Sequence, residues 1–131
     1  MAALGDVIDG VVRQHKVQVE KVDEDEYNVL VHFRDGRSQV VNVFVDDDAH
    51  GETWVIARSF IGDLQALDPV TLLERNAAPG YAFVAARDDR AFVCAQMPAA
   101  SVDTDLCRRM LLDVAAFADA LEEDMLGADD A

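Results

Sequence analysis

A long amphipathic helix near the end of the chain, preceded by two strands of small residues, limits most strongly how this sequence can fold. The apolar residues of the helix are spaced three and four apart and form one stripe: Leu106, Met110, Val114, Phe117, Leu121 and Met125. Ser101 or Asp103 is expected to cap its start, and Gly127 is a natural stop. A helix with one apolar side needs an apolar surface on which to bury it.

The two strands before this helix offer such a surface. The segments Tyr81–Ala86 and Ala91–Met97 flank a charged turn at residues 87–90 and predict a β-hairpin. One face of the hairpin consists of small side chains, which allow a helix to approach closely: Ala82, Val84, Ala86, Ala91, Val93 and Ala95. The opposite face carries larger side chains: Tyr81, Phe83, Phe92 and Cys94.

Another hairpin is predicted around Asp35-Gly36, which separates the β-branched and aromatic segments Tyr27–Phe33 and Ser38–Val45. A two-residue turn at this dipeptide sets the register and pairs Val31 with Val40 and Tyr27 with Phe44. One face of the hairpin is then expected to carry Tyr27, Val29, Val31, Phe33, Val40 and Phe44. The other face is also largely apolar, with Leu30, Val41, Val43 and Val45. We expect one face of this sheet to be covered by other parts of the chain and the other face to be in contact with a further surface.

Three further segments complete the predicted order. Leu4–His15 has the apolar spacing of a helix, although Gly5 and Gly10 each weaken it by about 1 kcal/mol. Glu52–Ile61 is a third strand, with these side chains on one side: Trp54, Ile56 and Phe60. An Asp-Pro pair starts a short helix, Pro69–Asn76.

The predicted order of elements is therefore α-β-β-β-α-β-β-α, an α+β fold in which helices pack on an antiparallel sheet. Val17–Val22 alternates apolar and polar residues and is either a short additional strand or an extended lead-in. No repeat or linker divides the chain. Residues 1–131 are expected to form one domain, in which residues 127–131 fray.

The chain is strongly acidic, with 26 Asp and Glu against 11 Lys and Arg and a formal net charge of −15. We therefore expect neither nucleic acid nor an anionic membrane as a partner, because phosphates need a basic surface. Acidity favours basic or amphipathic partners, but a salt-adapted or GC-rich source explains the same composition equally well. No apolar segment approaches the roughly 18 residues of a membrane helix, and the start lacks signal-peptide features, so we expect a cytoplasmic protein.

The sequence contains no common catalytic or cofactor motif: no G-x-S-x-G, no G-x-G-x-x-G and no P-loop. Cys94 and Cys107 belong to no Cys-x-x-Cys pair, and both are expected to be reduced and buried. We therefore expect no enzyme activity, no cofactor and no metal. A remote alternative is a metal site or an active site in the acidic loop Asp46–Glu52, although its carboxylates lack EF-hand spacing.

Three segments of the second half carry a family resemblance. They are residues 68–77 (Asp-Pro-Val-Thr-Leu-Leu-Glu-Arg-Asn-Ala), residues 91–98 (Ala-Phe-Val-Cys-Ala-Gln-Met-Pro) and the helix that ends at Leu121-Glu-Glu. Together with the order of elements, they resemble the type III secretion chaperone-like superfamily, including its YbjN-like branch. The residues that carry the likeness most directly are Leu72, Leu73, Asn76 and Pro98.

The resemblance implies a small, acidic, cytoplasmic homodimer that binds other proteins and has no cofactor. We expect it to hold an extended segment of a partner, by strand addition or in apolar grooves. The residues expected to contact the partner are Val7, Val11, Tyr27, Val29, Val31 and Phe44. Those expected at the dimer interface are Leu72, Leu73, Phe83 and Phe92. The alternative is a YbjN-like regulatory or stress-associated protein with the same scaffold and no secretion client.

Overall fold

Helices and strands follow the order that the sequence predicts, with one additional strand. In this computed structural model the described residues are 3–15 and 17–126. In chain order the elements are α1 (Leu4–Gln14), β1 (Gln18–Asp23), β2 (Glu26–His32), β3 (Ser38–Asp47), β4 (Thr53–Asp63), α2 (Pro69–Arg75), β5 (Phe83–Arg87), β6 (Arg90–Pro98) and α3 (Thr104–Leu121). A π-helical turn, Glu122–Leu126, continues α3. The tail that we expect to fray, residues 127–131, lies outside the described residues.

In the described part of the chain, six strands form one antiparallel sheet in the order β1-β2-β3-β4-β6-β5. The predicted α+β fold with an antiparallel sheet is therefore confirmed. Val17–Val22, for which the sequence leaves two possibilities, provides most of β1, which pairs with β2. The turn between these strands is tight, and Asp25 adopts a positive φ of 53° in it.

One face of the sheet is covered by α1 and α3 and forms the core with them. The buried side chains of the strands are mostly small, and Val41, Val43, Val93 and Ala95 have no exposed surface. Helix α3 contributes its buried side: Cys107, Met110, Leu111, Val114, Ala115, Ala118 and Leu121. Full burial of a large aliphatic side chain contributes roughly 1.5–3 kcal/mol, so this interface is the main source of stability.

The starts of the two C-terminal helices are also as predicted. Asp68 accepts a hydrogen bond from the amide of Val70 at 3.1 Å, and Pro69 occupies the first turn of α2. Of the two candidate caps of α3, Asp103 is the one used, since its carboxylate accepts from the amide of Leu106 at 2.8 Å. Both caps satisfy backbone N–H groups that have no partner inside the helix.

The loop between β2 and β3 is longer than predicted. The amide of Phe33 donates to the carbonyl of Arg37 at 2.9 Å, and the amide of Gly36 donates to the carbonyl of Phe33 at 3.1 Å. Gly36 has a φ of 88°, the left-handed conformation that follows a type I turn in a three-residue hairpin loop. The hairpin signal at Asp35-Gly36 is therefore right, but the two-residue turn is wrong.

The longer loop shifts the register of this hairpin by one residue and so changes which side chains share a face. The observed pairs are Val31 with Gln39 and Tyr27 with Val43, instead of the predicted Val31 with Val40 and Tyr27 with Phe44. The face of Tyr27, Val29 and Val31 is covered by helices, together with Val41 and Val43. Val40 and Phe44, predicted to share that face, lie on the opposite one.

The β5–β6 hairpin turns at residues 87–90, as predicted. Asp88 and Asp89 form its two-residue turn with φ values of 53° and 64°, and this turn requires a positive φ at both positions. Val84 pairs with Val93, so the small residues lie on the covered face. The larger side chains lie on the opposite face: Phe83, Phe92 and Cys94.

The two glycines of α1 let this helix lie close to its neighbours. A Cβ atom on Gly10 would lie 2.5 Å from Oγ1 and 2.8 Å from Cγ2 of Thr104, at the start of α3. A Cβ atom on Gly5 would lie 2.8 Å from the hydroxyl of Tyr27 in β2. The glycines that reduce helix propensity therefore permit the close packing of α1 on α3 and β2.

Gly10→Ala is expected to destabilise the protein by about 1–2 kcal/mol, because overpacking against Thr104 outweighs the gain in helix propensity. Urea denaturation followed by circular dichroism measures this change. The double variant Gly10→Ala/Thr104→Ala relieves the contact and should be more stable than the sum of the single effects predicts. Simple additivity of the two substitutions would contradict the close contact.

Candidate functional site

The face of the sheet that points away from α1 and α3 has an apolar centre. Seven outward side chains of β3, β4 and β6 form it, and we call them the central patch: Val40, Phe44, Ile56, Arg58, Phe60, Phe92 and Cys94. Val40 and Phe60 are each 50% exposed, and the other five are partly buried. A contiguous apolar patch of this kind is typical of a surface that contacts another protein.

Arg58 lies within the central patch, over two aromatic rings. Its Cζ atom is 4.7 Å from the ring centroid of Phe44 and 5.4 Å from that of Phe92. The ring of Phe92 meets that of Phe60 edge to face, with 5.7 Å between the centroids. Because a guanidinium and aromatic rings attract each other at these distances, the contacts hold the Arg58 side chain on the sheet.

Arg58 forms no ion pair with a carboxylate of the described residues. Arg37 differs in this respect, since its guanidinium lies 2.8 Å from Asp119 and 2.7 Å from Glu123. Arg58 is also the single charged member of the central patch. Although the chain has 26 acidic residues, none of those described neutralises this cation directly.

A groove of about 520 Å³ lies beside Arg58. It forms where β3 and β4 separate, because their pairing ends at Asn42 and Arg58 and does not include residues 38–41 of β3. Ser59 bridges the gap, since its hydroxyl donates to the carbonyl of Val40 at 2.9 Å. The walls combine aromatic, amide and acidic side chains: Glu26, Asn28, Asn42, Phe60, Phe92 and Glu122.

Asn42 is held in this groove by hydrogen bonds from its side-chain amide. Its Nδ2 donates to Glu26 Oε2 and to Asn28 Oδ1, each at 3.0 Å. Its own Oδ1 is buried and accepts no hydrogen bond from the described residues. Asn42 pairs across the strands with Arg58, so an acceptor and a cation lie next to each other in the groove.

The two cysteines lie in different environments. Cys94 pairs across strands with Arg58 on the uncovered face; burial raises the pKa of its thiol, and the charge of Arg58 opposes that rise. Cys107 has no exposed surface, and burial raises its pKa to about 12. The expectation of a buried thiol is confirmed for Cys107 but wrong for Cys94, which is only partly buried.

Side chains close the free edge of β5. Asn76 acts as a backbone substitute, because its Nδ2 donates to the carbonyl of Val84 at 3.3 Å and its Oδ1 accepts from the amide of Val84 at 2.6 Å. Asp113 accepts from the amide of Ala82 at 2.8 Å. An extended segment cannot add to this edge at Val84 without displacing Asn76.

A second apolar surface lies where α2 meets β5. Val70 and Leu73 of α2 are 64% and 65% exposed. Next to Leu73 is a hollow of about 160 Å³ with mainly apolar walls, which include Leu64, Leu72, Val84 and Ala86. This surface lies apart from the central patch, with which it shares no residue.

Of the six residues that we expect to contact a partner, the structure brings one to the uncovered face. Four have at most 5% of their surface exposed, because they pack between α1, the sheet and α3: Val7, Val11, Val29 and Val31. Tyr27 is partly buried on the same side of the sheet. Phe44 belongs to the central patch. As surface contacts, the four valines are corrected to core residues of the folded chain.

The four residues expected at a dimer interface differ in accessibility. Leu72 is 2% exposed and belongs to the core, so it is corrected from a surface to a core residue. Leu73, one residue later, is exposed on α2. Phe83 and Phe92 are partly buried on the uncovered face of the sheet. These last three residues can be reached by a second chain.

The acidic loop after β3 uses a carboxylate to hold its own turn. Asp48 accepts hydrogen bonds from the indole of Trp54 at 3.0 Å and from the amides of His50 and Glu52 at 2.8 and 3.0 Å. These bonds lower the pKa of Asp48, that from Trp54 most strongly. Among the described residues, no group of three or more His, Cys, Asp or Glu is placed to hold a metal ion.

Sequence reasoning missed Arg58 as a candidate site residue. The alternation of Trp54, Ile56 and Phe60 indicates one face of β4, and Arg58 occupies the remaining position of that alternation. A charged residue within an apolar face is the signal that identifies it. The neighbours of Arg58 on β3 depend on the register of the β2–β3 hairpin, which the sequence predicts wrongly.

No protein-family model matches this chain, and no curated protein sequence matches it. Among the described helices, none combines the length and the apolar character needed to cross a membrane. Inference about function therefore depends on the surfaces of the molecule itself.

Cys94 is expected to react with iodoacetamide at least about tenfold faster than Cys107 in the folded protein at pH 8, because Cys107 is fully buried. Timed labelling followed by peptide mass spectrometry measures both rates. In the matched Cys94→Ser variant, labelling should require denaturant. Equal rates at the two thiols would show that Cys94 is not at the surface or that Cys107 is not in the core.

Proposed function

We propose that this protein is a non-enzymatic binding module that holds a segment of a partner protein on the uncovered face of its sheet. The observation that supports this most directly is the central patch, an aromatic and aliphatic surface on a sheet whose opposite face is covered by helices. We propose that it works in the cytoplasm and without a cofactor. This role agrees with the resemblance to the type III secretion chaperone-like superfamily.

The sheet face is favoured over the sheet edges as the binding surface. Asn76 already pairs with the free edge of β5. At the other edge, β1 carries exposed charges at Glu20, Lys21 and Asp23, which discourage the addition of another strand. Burial of partner side chains on the central patch is therefore the favoured mode of binding.

The charge of the chain favours a partner segment that is flanked by basic residues. At a net charge of −15, the protein attracts cationic chains over distances of about a Debye length, roughly 8 Å at physiological salt. Such attraction raises the rate of association more than the final affinity. The apolar central patch then provides the contact area.

We also propose that the protein is a homodimer whose contact includes the exposed surface of α2. Leu73 and Val70 are the most exposed large apolar side chains of the described residues, and the adjacent hollow is mainly apolar. A second copy would bury these side chains and leave the central patches available. Like charges on the two copies oppose the contact, so added salt strengthens it.

Phe60→Asp is expected to abolish binding of the partner, because it places a charge within the apolar contact. A tagged protein is incubated with native lysate, and retained proteins are measured by quantitative mass spectrometry for the wild type, Phe60→Asp and the control Val22→Asp. Val22 is 49% exposed on β1, so this control adds the same charge outside the central patch. One protein retained by the wild type and the control, and reduced about tenfold or more by Phe60→Asp, is the expected result.

The retained protein is then purified, and its affinity for each variant is measured by calorimetry. Circular dichroism checks that Phe60→Asp remains folded. Equal affinity of Phe60→Asp and the wild type would contradict the central patch as the binding surface. Absence of any selectively retained protein would contradict a dedicated partner.

The wild-type protein is expected to sediment at about twice the 14.3 kDa chain mass at micromolar concentration, with a dissociation constant that falls as salt increases. Leu73→Asp should sediment as a monomer, because it buries a charge in an apolar contact. The control Val12→Asp, at a 40% exposed position on α1, should remain dimeric. A wild-type monomer at every salt concentration would refute the homodimer.

A further inference from the structure

We propose that the segment held on the central patch carries an Asp or Glu side chain, flanked by apolar residues, whose carboxylate pairs with Arg58. This inference rests on the proposed function and specifies the chemistry of the partner segment. It is an extended peptide with one carboxylate at its centre and basic residues toward its ends.

Arg58 presents hydrogen-bond donors that the described residues do not use. Its guanidinium lies over the rings of Phe44 and Phe92, and no described carboxylate pairs with it. A guanidinium placed over aromatic rings still offers N–H groups along its edge, in the fork geometry that fits a carboxylate. The surrounding apolar side chains exclude water and strengthen such a pair.

The groove beside Arg58 provides room for a side chain of the bound segment. Its volume of about 520 Å³ exceeds that of a single amino-acid side chain. The buried Oδ1 of Asn42 accepts no hydrogen bond from the described residues, and Asn42 is the cross-strand neighbour of Arg58. Because that oxygen is buried, a bound segment can reach the guanidinium of Arg58 but not this acceptor.

A second copy of this chain is a poorer occupant of the central patch. An isologous contact centred on the patch brings two Arg58 side chains toward the same two-fold axis, where like charges repel. A different chain with a carboxylate opposite Arg58 replaces that repulsion by attraction.

Acidic residues lie along the margins of the central patch. Glu20 and Glu26 occupy outward positions on β1 and β2, and Asp46 occupies an outward position near the end of β3. Arg90, the cross-strand partner of Asp63, lies over the ring of Phe60, with 5.5 Å between its Cζ and the ring centroid. The surface therefore has two cations, Arg58 and Arg90, among its aromatic rings and carboxylates along its β1, β2 and β3 margins. A segment with a central carboxylate and basic residues on both sides is complementary to this pattern.

The test is selection of a random peptide library on the folded full-length chain, in parallel for the wild type, Arg58→Glu, Arg58→Gln and Arg34→Glu. Arg34 lies exposed in the β2–β3 loop, so Arg34→Glu changes the net charge by the same amount as Arg58→Glu outside the patch. Circular dichroism confirms that each variant is folded. If Arg58→Glu fails to fold, the neutral Arg58→Gln variant answers the same question.

Wild type and Arg34→Glu are expected to select peptides with Asp or Glu between apolar residues and Lys or Arg toward the ends. Arg58→Glu should select Lys or Arg at the central position, and Arg58→Gln should lose the preference. An acidic preference that persists in both Arg58 variants would overturn the pairing with Arg58 while leaving the binding function intact. Selection of no peptide by the wild type would overturn the binding function as well.

The affinities of the best selected peptide and of its Glu→Gln or Asp→Asn variant are then measured, to test whether the peptide carboxylate contacts Arg58. Loss of the peptide carboxylate should weaken binding to the wild type about 10- to 100-fold, and to Arg58→Gln much less. The bound peptide should also slow iodoacetamide labelling of Cys94, which neighbours Arg58. A peptide that binds tightly but leaves Cys94 labelling unchanged would show that it occupies another surface.

Discussion

Burial of one side of α3 on the small-residue face of the sheet is the interaction on which the rest of the structure depends. Val114, Ala115 and Ala118 of this helix have no exposed surface, and neither do Val93 and Ala95 of β6 opposite them. The helix can approach the sheet closely because these contacting side chains are small. Helix α1 then packs beside α3 on the same face, at the distance that Gly10 permits. The described chain is therefore a two-layer structure, in which the second face of the sheet has no layer of its own.

The composition of that second face does not follow from folding alone. An antiparallel sheet with one solvated face normally alternates apolar residues inward and polar residues outward. In β4 the inward residues Val55 and Ala57 obey this rule, whereas the outward residues include Trp54, Ile56 and Phe60. Serine or threonine at these outward positions would leave the core unchanged. The aromatic and aliphatic side chains are therefore better explained by contact with another molecule.

Much of the fold could be predicted from the sequence because local signals define it. The Asp caps of α2 and α3, the Asp88-Asp89 turn and the small face of the β5–β6 hairpin each act within a few residues, and each is found as expected. Asp35-Gly36 is compatible with hairpin loops of two or three residues, since each places glycine at a positive φ. Local chemistry does not decide between these loops. The three-residue loop is the one that lets Val41 and Val43 pack under the helices, and this packing involves residues outside the loop.

The candidate site could not be predicted for the same reason. Phe44 and Arg58 meet only in the observed register, because a shift of one residue sends Phe44 to the other face of the sheet. Asn76 could be recognised in the sequence by resemblance, but its pairing with Val84 depends on the contact of α2 with β5. Contacts between elements that are distant in sequence thus determine both the uncovered face of the sheet and the closed edge of β5.

The acidity of the chain and the arginine on its uncovered face act at different ranges and need separate explanations. Net charge acts over a Debye length and influences which chains approach, whether its origin is a basic partner or a salt-adapted source. Arg58 acts only on groups in contact with it, where low water content strengthens its interactions. Carboxylates of the chain do lie near Arg58, at Glu26 and Glu122 in the walls of the groove, but Arg58 lies over two phenylalanine rings and pairs with no described carboxylate. The position of Arg58 is therefore better explained by a carboxylate that a partner brings, and this explanation holds whatever the cause of the overall charge.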